Sequence, residues 1–213
     1  MKGEKFHMAF KTIIYDCDGV MFDSLEANTA FYERIMTPLG ETLDRQDETL
    51  MRVLHTHANR DVLSFIFPHE PQRSRALELA AAINYRELIP LMRMEQGFRE
   101  TLEELHLRFD LAVCTNRASS MEDLLTEFDL GRFFGCVMTA ALVKNPKPHP
   151  EPLQRILHHY RIAPHEALFV GDSHLDSQAA AAAGIPFVAY KADLPGFARI
   201  DHHGEILNLL ERR

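Results

Sequence analysis

The sequence predicts an α/β protein: a doubly wound parallel sheet with an inserted α-helical unit. Three observations carry this. Five short apolar segments are each bounded by polar or turn residues, as strands covered on both faces should be. Amphipathic stretches with helical periodicity alternate with four of them, the pattern of a doubly wound sheet. One long segment, residues 25 to 90, breaks that rhythm with helical patterns and no convincing buried strand.

Taken in order, Ile13-Ile14-Tyr15 is the first strand, β-branched and aromatic, and it runs straight into Asp16-Cys17-Asp18-Gly19-Val20. The interrupting segment follows, with amphipathic stretches at Ala27 to Met36, Asp47 to Leu54 and Arg73 to Leu88. It reads as a small helical bundle above the C-terminal edge of the sheet. The expected division is residues 1–22 and 92–213 for the core and 23–91 for the insert. After a helix over 97–107 come Leu111-Ala112-Val113-Cys114, a helix over 118–129 and Cys136-Val137-Met138-Thr139. A helix over 150–161, the strand Ala167-Leu168-Phe169-Val170 and a helix over 173–183 continue the alternation. Gly184 and Pro186 stop the run Ala179 to Ala183. Pro186-Phe187-Val188-Ala189-Tyr190 is the last strand, and a helix near 204–211 closes the chain.

Composition narrows the function. With 213 residues and 46% hydrophobic content the chain is long enough for a substantial core. A net charge of −8 without a basic cluster argues against nucleic-acid binding. No segment approaches a membrane span, and Met1 to Lys11 does not read as a secretory signal. Three cysteines, Cys17, Cys114 and Cys136, lack metal-ligand spacing and read as reduced thiols of a cytoplasmic protein. Cys17 lies between two acids, which blunts its reactivity, and reads as a small core residue. Oligomeric state is not legible.

Four strand ends carry chemistry. Asp16 and Asp18 follow the first strand, and where the chain bends at Gly19 both reach the rim of a pocket; open α/β sheets bind ligands at such an edge. Thr115 and Asn116 end the strand at Cys114, ahead of a helix; alone, Asn116 would be an ordinary N-cap. Lys147 stands between Pro146 and Pro148, which fix its backbone, and it is one of only six lysines. Asp172 follows Gly171, and Asp176 lies one helical turn later, on the same face of the first turn. Alone, these two would be helix-terminal acids favoured by the dipole. Together, four carboxylates on one sheet edge would repel one another unless a cation joined them. An all-oxygen donor set favours Mg²⁺, usually shared with a substrate phosphate.

These ordered segments resemble the four motifs of the haloacid dehalogenase-like hydrolase superfamily, in its phosphoglycolate phosphatase-like branch. Asp16-Cys17-Asp18-Gly19-Val20 matches the first, Thr115-Asn116 the second, Lys147-Pro148-His149-Pro150 the third and Gly171-Asp172 to Asp176 the fourth, and the similarity runs from about Thr12 to Leu210. The resemblance implies a Rossmann-like core with a helical cap, and an enzyme hydrolysing a small phosphorylated metabolite through an aspartyl-phosphate. It implies Asp16 as nucleophile and Asp18 as acid and base. Thr115 and the backbone near Asn116 would hold phosphoryl oxygens, and Lys147 would neutralise charge. Mg²⁺ would sit on Asp16, the Asp18 carbonyl and Asp172, with Asp176 ordering its waters.

Relatives within the superfamily separate on residues. Dehalogenases lack the second acid, here Asp18. Phosphonoacetaldehyde hydrolases need a cap lysine, and this insert has none; phosphosugar mutases place a histidine where Asn28 stands. The alternatives to hydrolysis are such a mutase or a non-catalytic phosphometabolite-binding protein, and every motif acid is present. In the cap, His55-Thr56-His57-Ala58-Asn59-Arg60 departs from the glycine-rich segment of a phosphoglycolate phosphatase. Arg60 at this helix junction is the expected ligand for a substrate carboxylate or second phosphate.

Overall fold

Short continuous apolar runs, buried on both faces, decide where the sheet lies. The computed structural model describes residues 10–118 and 120–211. β1 (Thr12–Tyr15) is fully buried at its centre, and its side chains alternate between faces. Ile13 and Tyr15 join one apolar cluster, Ile14 the other. β1 is flanked by β4 (Asp110–Cys114) and β6 (Ala167–Gly171), both parallel to it. β5 (Cys136–Met138), β7 (Phe187–Tyr190) and β8 (Ala198–Ile200) complete a six-stranded parallel sheet in the order β5-β4-β1-β6-β7-β8.

Helices cover both faces, as a parallel sheet requires. α5 (Phe98–Leu105), α6 (Ser120–Glu127) and α9 (Glu205–Glu211) bury Phe98, Leu102, Leu105, Met121, Leu124 and Ile206 against Tyr15, Val113 and Val170. On the other face, α7 (Glu151–Tyr160) and α8 (His174–Ala183) pack Leu153, Ile156, Ala179, Ala180 and Ala183 against Ile14, Phe169 and Phe187. The alanine run thus forms the helix expected of it, and Gly184 ends α8 at φ +71°, a left-handed conformation that glycine adopts without strain.

Register fixes which residues share the functional edge. Tyr15 pairs with Val113 on one side and with Val170 on the other. The next residues, Asp16, Cys114 and Gly171, therefore stand at one level, where β1 has ended and β4 and β6 reach their last paired residue. β1 also stands where the chain turns from building one side of the sheet to building the other, the usual place for a ligand crevice.

Between β1 and β4 the chain departs into helices. β2 (Phe22–Asp23) and β3 (Arg93–Met94) pair antiparallel where it leaves and returns. The departing segment holds α1 (Leu25–Met36), α2 (Glu48–Thr56), α3 (Asn59–Ile66) and α4 (Gln72–Ala82). Its own apolar cluster includes Tyr32, Ile35, Leu50, Leu54, Val62, Leu63 and Phe67. Asp47 caps α2 by accepting from the backbone N–H groups of Thr49 and Leu50.

Several boundaries differ from the sequence reading. α4 stops at Ala82, not near Leu88, and 3₁₀ turns over Tyr85–Glu87 and Ile89–Leu91 bring the chain back. α3 starts at Asn59, earlier than the apolar pattern from Val62 indicates, because its first turn is polar. α6 begins at Ser120 rather than 118. β8 was not expected: three residues with Arg199 exposed carry no buried-strand signal. Among the described residues no helix is long and apolar enough to cross a membrane.

Candidate active site

The turn after β1 is built around one glycine. Val20, Met21 and Phe22 all donate backbone N–H groups to the Cys17 carbonyl, and Gly19 takes φ +74°. A Cβ on Gly19 would lie 2.0 Å from Asp172 Oδ2, so any side chain there would displace the acid. Gly19 lets the loops of the first and fourth motifs touch.

Lys147 is the centre of the charge arrangement. Its Nζ lies 2.8 Å from Asp16 Oδ1 and 2.6 Å from Asp176 Oδ1, and it donates to the Cys114 carbonyl at 2.9 Å. Three donors thus meet three acceptors, and the residue is buried. Burial alone would favour the neutral amine, but the two carboxylates outweigh it and hold the pKa well above the usual lysine value. Asn116 fixes the Lys147 backbone on both sides: Lys147 N–H donates to Asn116 Oδ1, and Asn116 Nδ2 donates to the Lys147 carbonyl, both at 3.0 Å. The same Nδ2 reaches the Thr56 carbonyl of α2 at 3.0 Å. Asn116 is therefore not an N-cap. It ties the lysine loop and the helical segment to the end of β4. Thr115 is buried beside it, its hydroxyl accepting from Arg117 N–H at 3.1 Å.

The acids divide into two sets. Asp16, Asp172 and Asp176 offer carboxylate oxygens all within 4.8 Å of one another, a spacing that fits an oxygen-ligated cation. Asp16 accepts from Lys147 and, at 2.7 Å, from the Cys17 N–H, both through Oδ1, so Oδ2 is the oxygen left for an electrophile. Burial, then the charge of Asp176, pushes the Asp16 pKa up to about 7. Burial and the neighbouring acids raise Asp172 well above the carboxylate range too, and its nearest cationic candidate is His55 Nε2 at 4.0 Å. An under-compensated, all-oxygen acid set of this kind suits Mg²⁺. The i, i+4 helical pairing expected of Asp172 and Asp176 does not occur. Ser173 is the N-cap of α8 and Asp176 its capping-box partner, accepting from Ser173 N–H at 3.1 Å. Asp176 thus caps a helix and holds Lys147 at once, while Asp172 stays on the loop.

Asp18 stands apart, and its partner escaped the sequence reading. Arg117 grips it with two bonds, Nε to Oδ2 at 2.8 Å and Nη2 to Oδ1 at 2.6 Å. Ser24 Oγ and Asn28 Nδ2 also donate to Asp18 Oδ1. Arg117 in turn donates to Asn28 Oδ1 at 3.1 Å and Ser120 Oγ at 3.2 Å, and lies 4.8 Å over the Tyr85 ring. Burial would raise the Asp18 pKa, yet the guanidinium holds it below the ordinary carboxylate value. The only sequence signal for Arg117 is its place directly after Thr115-Asn116.

A cavity of about 360 Å³ opens above these groups, lined by Asp16, Asp18, Asn116 and Arg117 at the sheet edge and by residues of α1, α2 and α4 beyond. His55, His57 and Asn59 line it as expected of the junction, but Arg60 does not. Successive helical residues point about 100° apart, so with Asn59 facing inward Arg60 is exposed on the outer side of α3. The expected anion ligand is therefore not at the site.

A buried lysine bridges two acids, and a third acid stands beside them, at the motif-bearing edge of a parallel sheet. The match to the haloacid dehalogenase-like hydrolase family model spans residues 13–190. The chain belongs to that family, on its phosphatase side. It is 29% identical over 190 residues to the pyrophosphatase PpaX of Anoxybacillus flavithermus, covering 83% of this chain and 81% of that one. It is also 29% identical to a phosphoglycolate phosphatase of Pseudomonas putida, covering 84% and 68%. Among solved structures, a subfamily IA, variant 1 hydrolase of the superfamily from Geobacter sulfurreducens matches at 57% identity and a TM-score of 0.76, covering 94% of this chain and 96% of that one.

Proposed function

We propose that the protein is a Mg²⁺-dependent phosphomonoesterase of a small phosphorylated metabolite, working through an aspartyl-phosphate on Asp16. The observation that carries this reading is the Lys147 bridge, which occupies Asp16 Oδ1 and leaves Oδ2 without a hydrogen bond on a residue that lines the cavity. Asp16 Oδ2 attacks phosphorus, the P–O bond to the alcohol breaks, and the leaving alkoxide takes a proton from Asp18. Water then attacks phosphorus and gives its proton to Asp18; the Asp16–P bond breaks and inorganic phosphate leaves. Thr115 and the backbone near Asn116 hold the phosphoryl oxygens, and Lys147 neutralises charge on nucleophile and phosphate. Asp16, the Asp18 carbonyl and Asp172 would hold Mg²⁺, with Asp176 behind them. When bound, the ion supplies further charge neutralisation at the phosphoryl group. Proton acceptance suits Asp18 in its pair with Arg117. Proton donation requires that pair to loosen.

In the same reading, residues 1–22 and 92–213 form the core and 23–91 a cap; the separate apolar cluster of the helical segment supports that division. The phosphoglycolate phosphatase and pyrophosphatase relatives support small phosphorylated substrates. The free thiols support a cytoplasmic setting. The test is phosphate release from p-nitrophenyl phosphate. Chelation should abolish it and Mg²⁺ restore it, and Asp16→Asn should neither turn over nor form a phosphoenzyme. Near-normal turnover by Asp16→Asn would overturn the reading.

A further inference from the structure

Beyond the acidic edge the cavity wall is mainly apolar and aromatic. From Asp18 outward, α1 presents Asn28 and then, one turn on, Phe31 and Tyr32. Leu77, Ala80 and Ala81, at i, i+3 and i+4, place one face of α4 opposite, and Leu54, Ile83 and Tyr85 fill the wall between. Three rings stand together there, Phe31 lying 5.1 Å from Tyr32 and 5.9 Å from Tyr85 between centroids. Among the described lining residues the fixed charges are Asp16, Asp18 and Arg117. Arg117 is turned onto the site: four of its five N–H groups are hydrogen-bonded to Asp18, Asn28 and Ser120, and its face lies on Tyr85. Lys147 is likewise saturated by three acceptors. Of the histidines, burial lowers the His57 pKa and keeps that ring neutral, while His55 directs Nε2 toward Asp172. Among the described lining residues, a second anionic group on a substrate would meet no fixed cation that is not already paired with an acid.

Resting on the phosphomonoesterase reading, we infer that the substrate is a phosphate ester of an uncharged alcohol with an apolar or aromatic body. Size agrees. A cavity of about 360 Å³ lies in the range of small-molecule sites. It admits a phosphoryl group together with a small alcohol such as benzyl alcohol.

Three probes separate charge from size: benzyl phosphate, 2-phosphoglycolate and its isosteric neutral amide, 2-phosphoglycolamide. With the Mg²⁺-loaded enzyme, kcat/KM for benzyl phosphate should exceed that for 2-phosphoglycolate by about a hundredfold, and the amide should exceed the acid by about tenfold. Phe31→Ala should cost benzyl phosphate about tenfold more than it costs the amide. A carboxylate bound or turned over as well as its amide would overturn the inference, as would equal losses in Phe31→Ala. Calorimetric binding of the same probes to Asp16→Asn reads the cavity without chemistry. Should no ester be hydrolysed while benzyl phosphate still binds more tightly than 2-phosphoglycolate, the catalytic reading fails and the cavity inference stands. If that binding order reverses, the inference fails whatever the turnover.

Discussion

Replacing Arg117 with Met tests the least expected feature of the site. Arg117 and Asp18 are 5% and 11% exposed in their side chains, so the pair is held nearly out of water. Removing the cation alone leaves Asp18 buried, ionised and held only by Ser24 and Asn28. Breaking a buried pair in this way costs about 3–5 kcal/mol. For a chain of 213 residues that corresponds to a fall in Tm of about 6–20 °C at ~2–4 °C per kcal/mol. Asp18→Asn added to Arg117→Met removes the stranded charge. The double variant should therefore recover most of the loss, giving a coupling energy of about 2 kcal/mol or more in a denaturant double-mutant cycle. If Arg117→Met cost less than about 1 kcal/mol, or the double variant were no more stable than the single one, the pair would not be the buried clamp described here.

Three further outcomes follow from the same geometry. Asp18→Asn should reduce hydrolysis most for alkyl phosphates and least for p-nitrophenyl phosphate, whose leaving group needs no proton; equal losses on both would remove Asp18 from the acid role. Gly19→Ala should depress Mg²⁺ affinity, measured by calorimetry, because the new Cβ would lie 2.0 Å from Asp172 Oδ2. His203 should make stability pH-dependent. Burial holds its ring down at about 4, and Nε2–H donates to the Val20 carbonyl at 2.8 Å. Between about 4 and an unfolded value of about 6.5 the unfolded chain binds a proton that the folded one refuses, so stability falls as pH drops through that window, by about 2 kcal/mol at pH 5. His203→Gln should flatten that slope in urea titrations at pH 7 and 5, and an unchanged slope would refute the assignment.

The strands were legible because a parallel sheet buried on both faces needs continuous apolar runs, and Ile13 to Tyr15 or Ala167 to Val170 can be little else. The motif acids were legible because they terminate those strands. Arg117 was not: its partner lies 99 residues away, and nothing local distinguishes it from a surface arginine. Asn116 was open to a wrong local explanation, since capping is the usual role of asparagine before a helix, whereas here its amide bridges three chain segments. Arg60 failed for a rotational reason. A one-residue step on a helix carries a side chain about 100° around the axis, and the sequence did not give the start of α3.

The charge balance of the site leads to its own test. With Asp18 and Arg117 closed on each other, Asp16, Asp172 and Asp176 face a single ammonium, an excess of two negative charges. A phosphate ester, itself anionic, would be repelled by that arrangement. The free protein can relieve the excess only by taking up protons, and the raised pKa values of Asp16, at about 7, and of Asp172 express that tendency. A divalent cation relieves it completely and must displace those protons to bind. Mg²⁺ affinity should therefore rise from pH 6 to pH 8, by about tenfold if a single carboxyl titrating near 7 must give up its proton. Calorimetry in two buffers of different ionisation enthalpy should record proton release near pH 7. A dissociation constant independent of pH, with no proton release, would mean that these carboxylates are not the ligands.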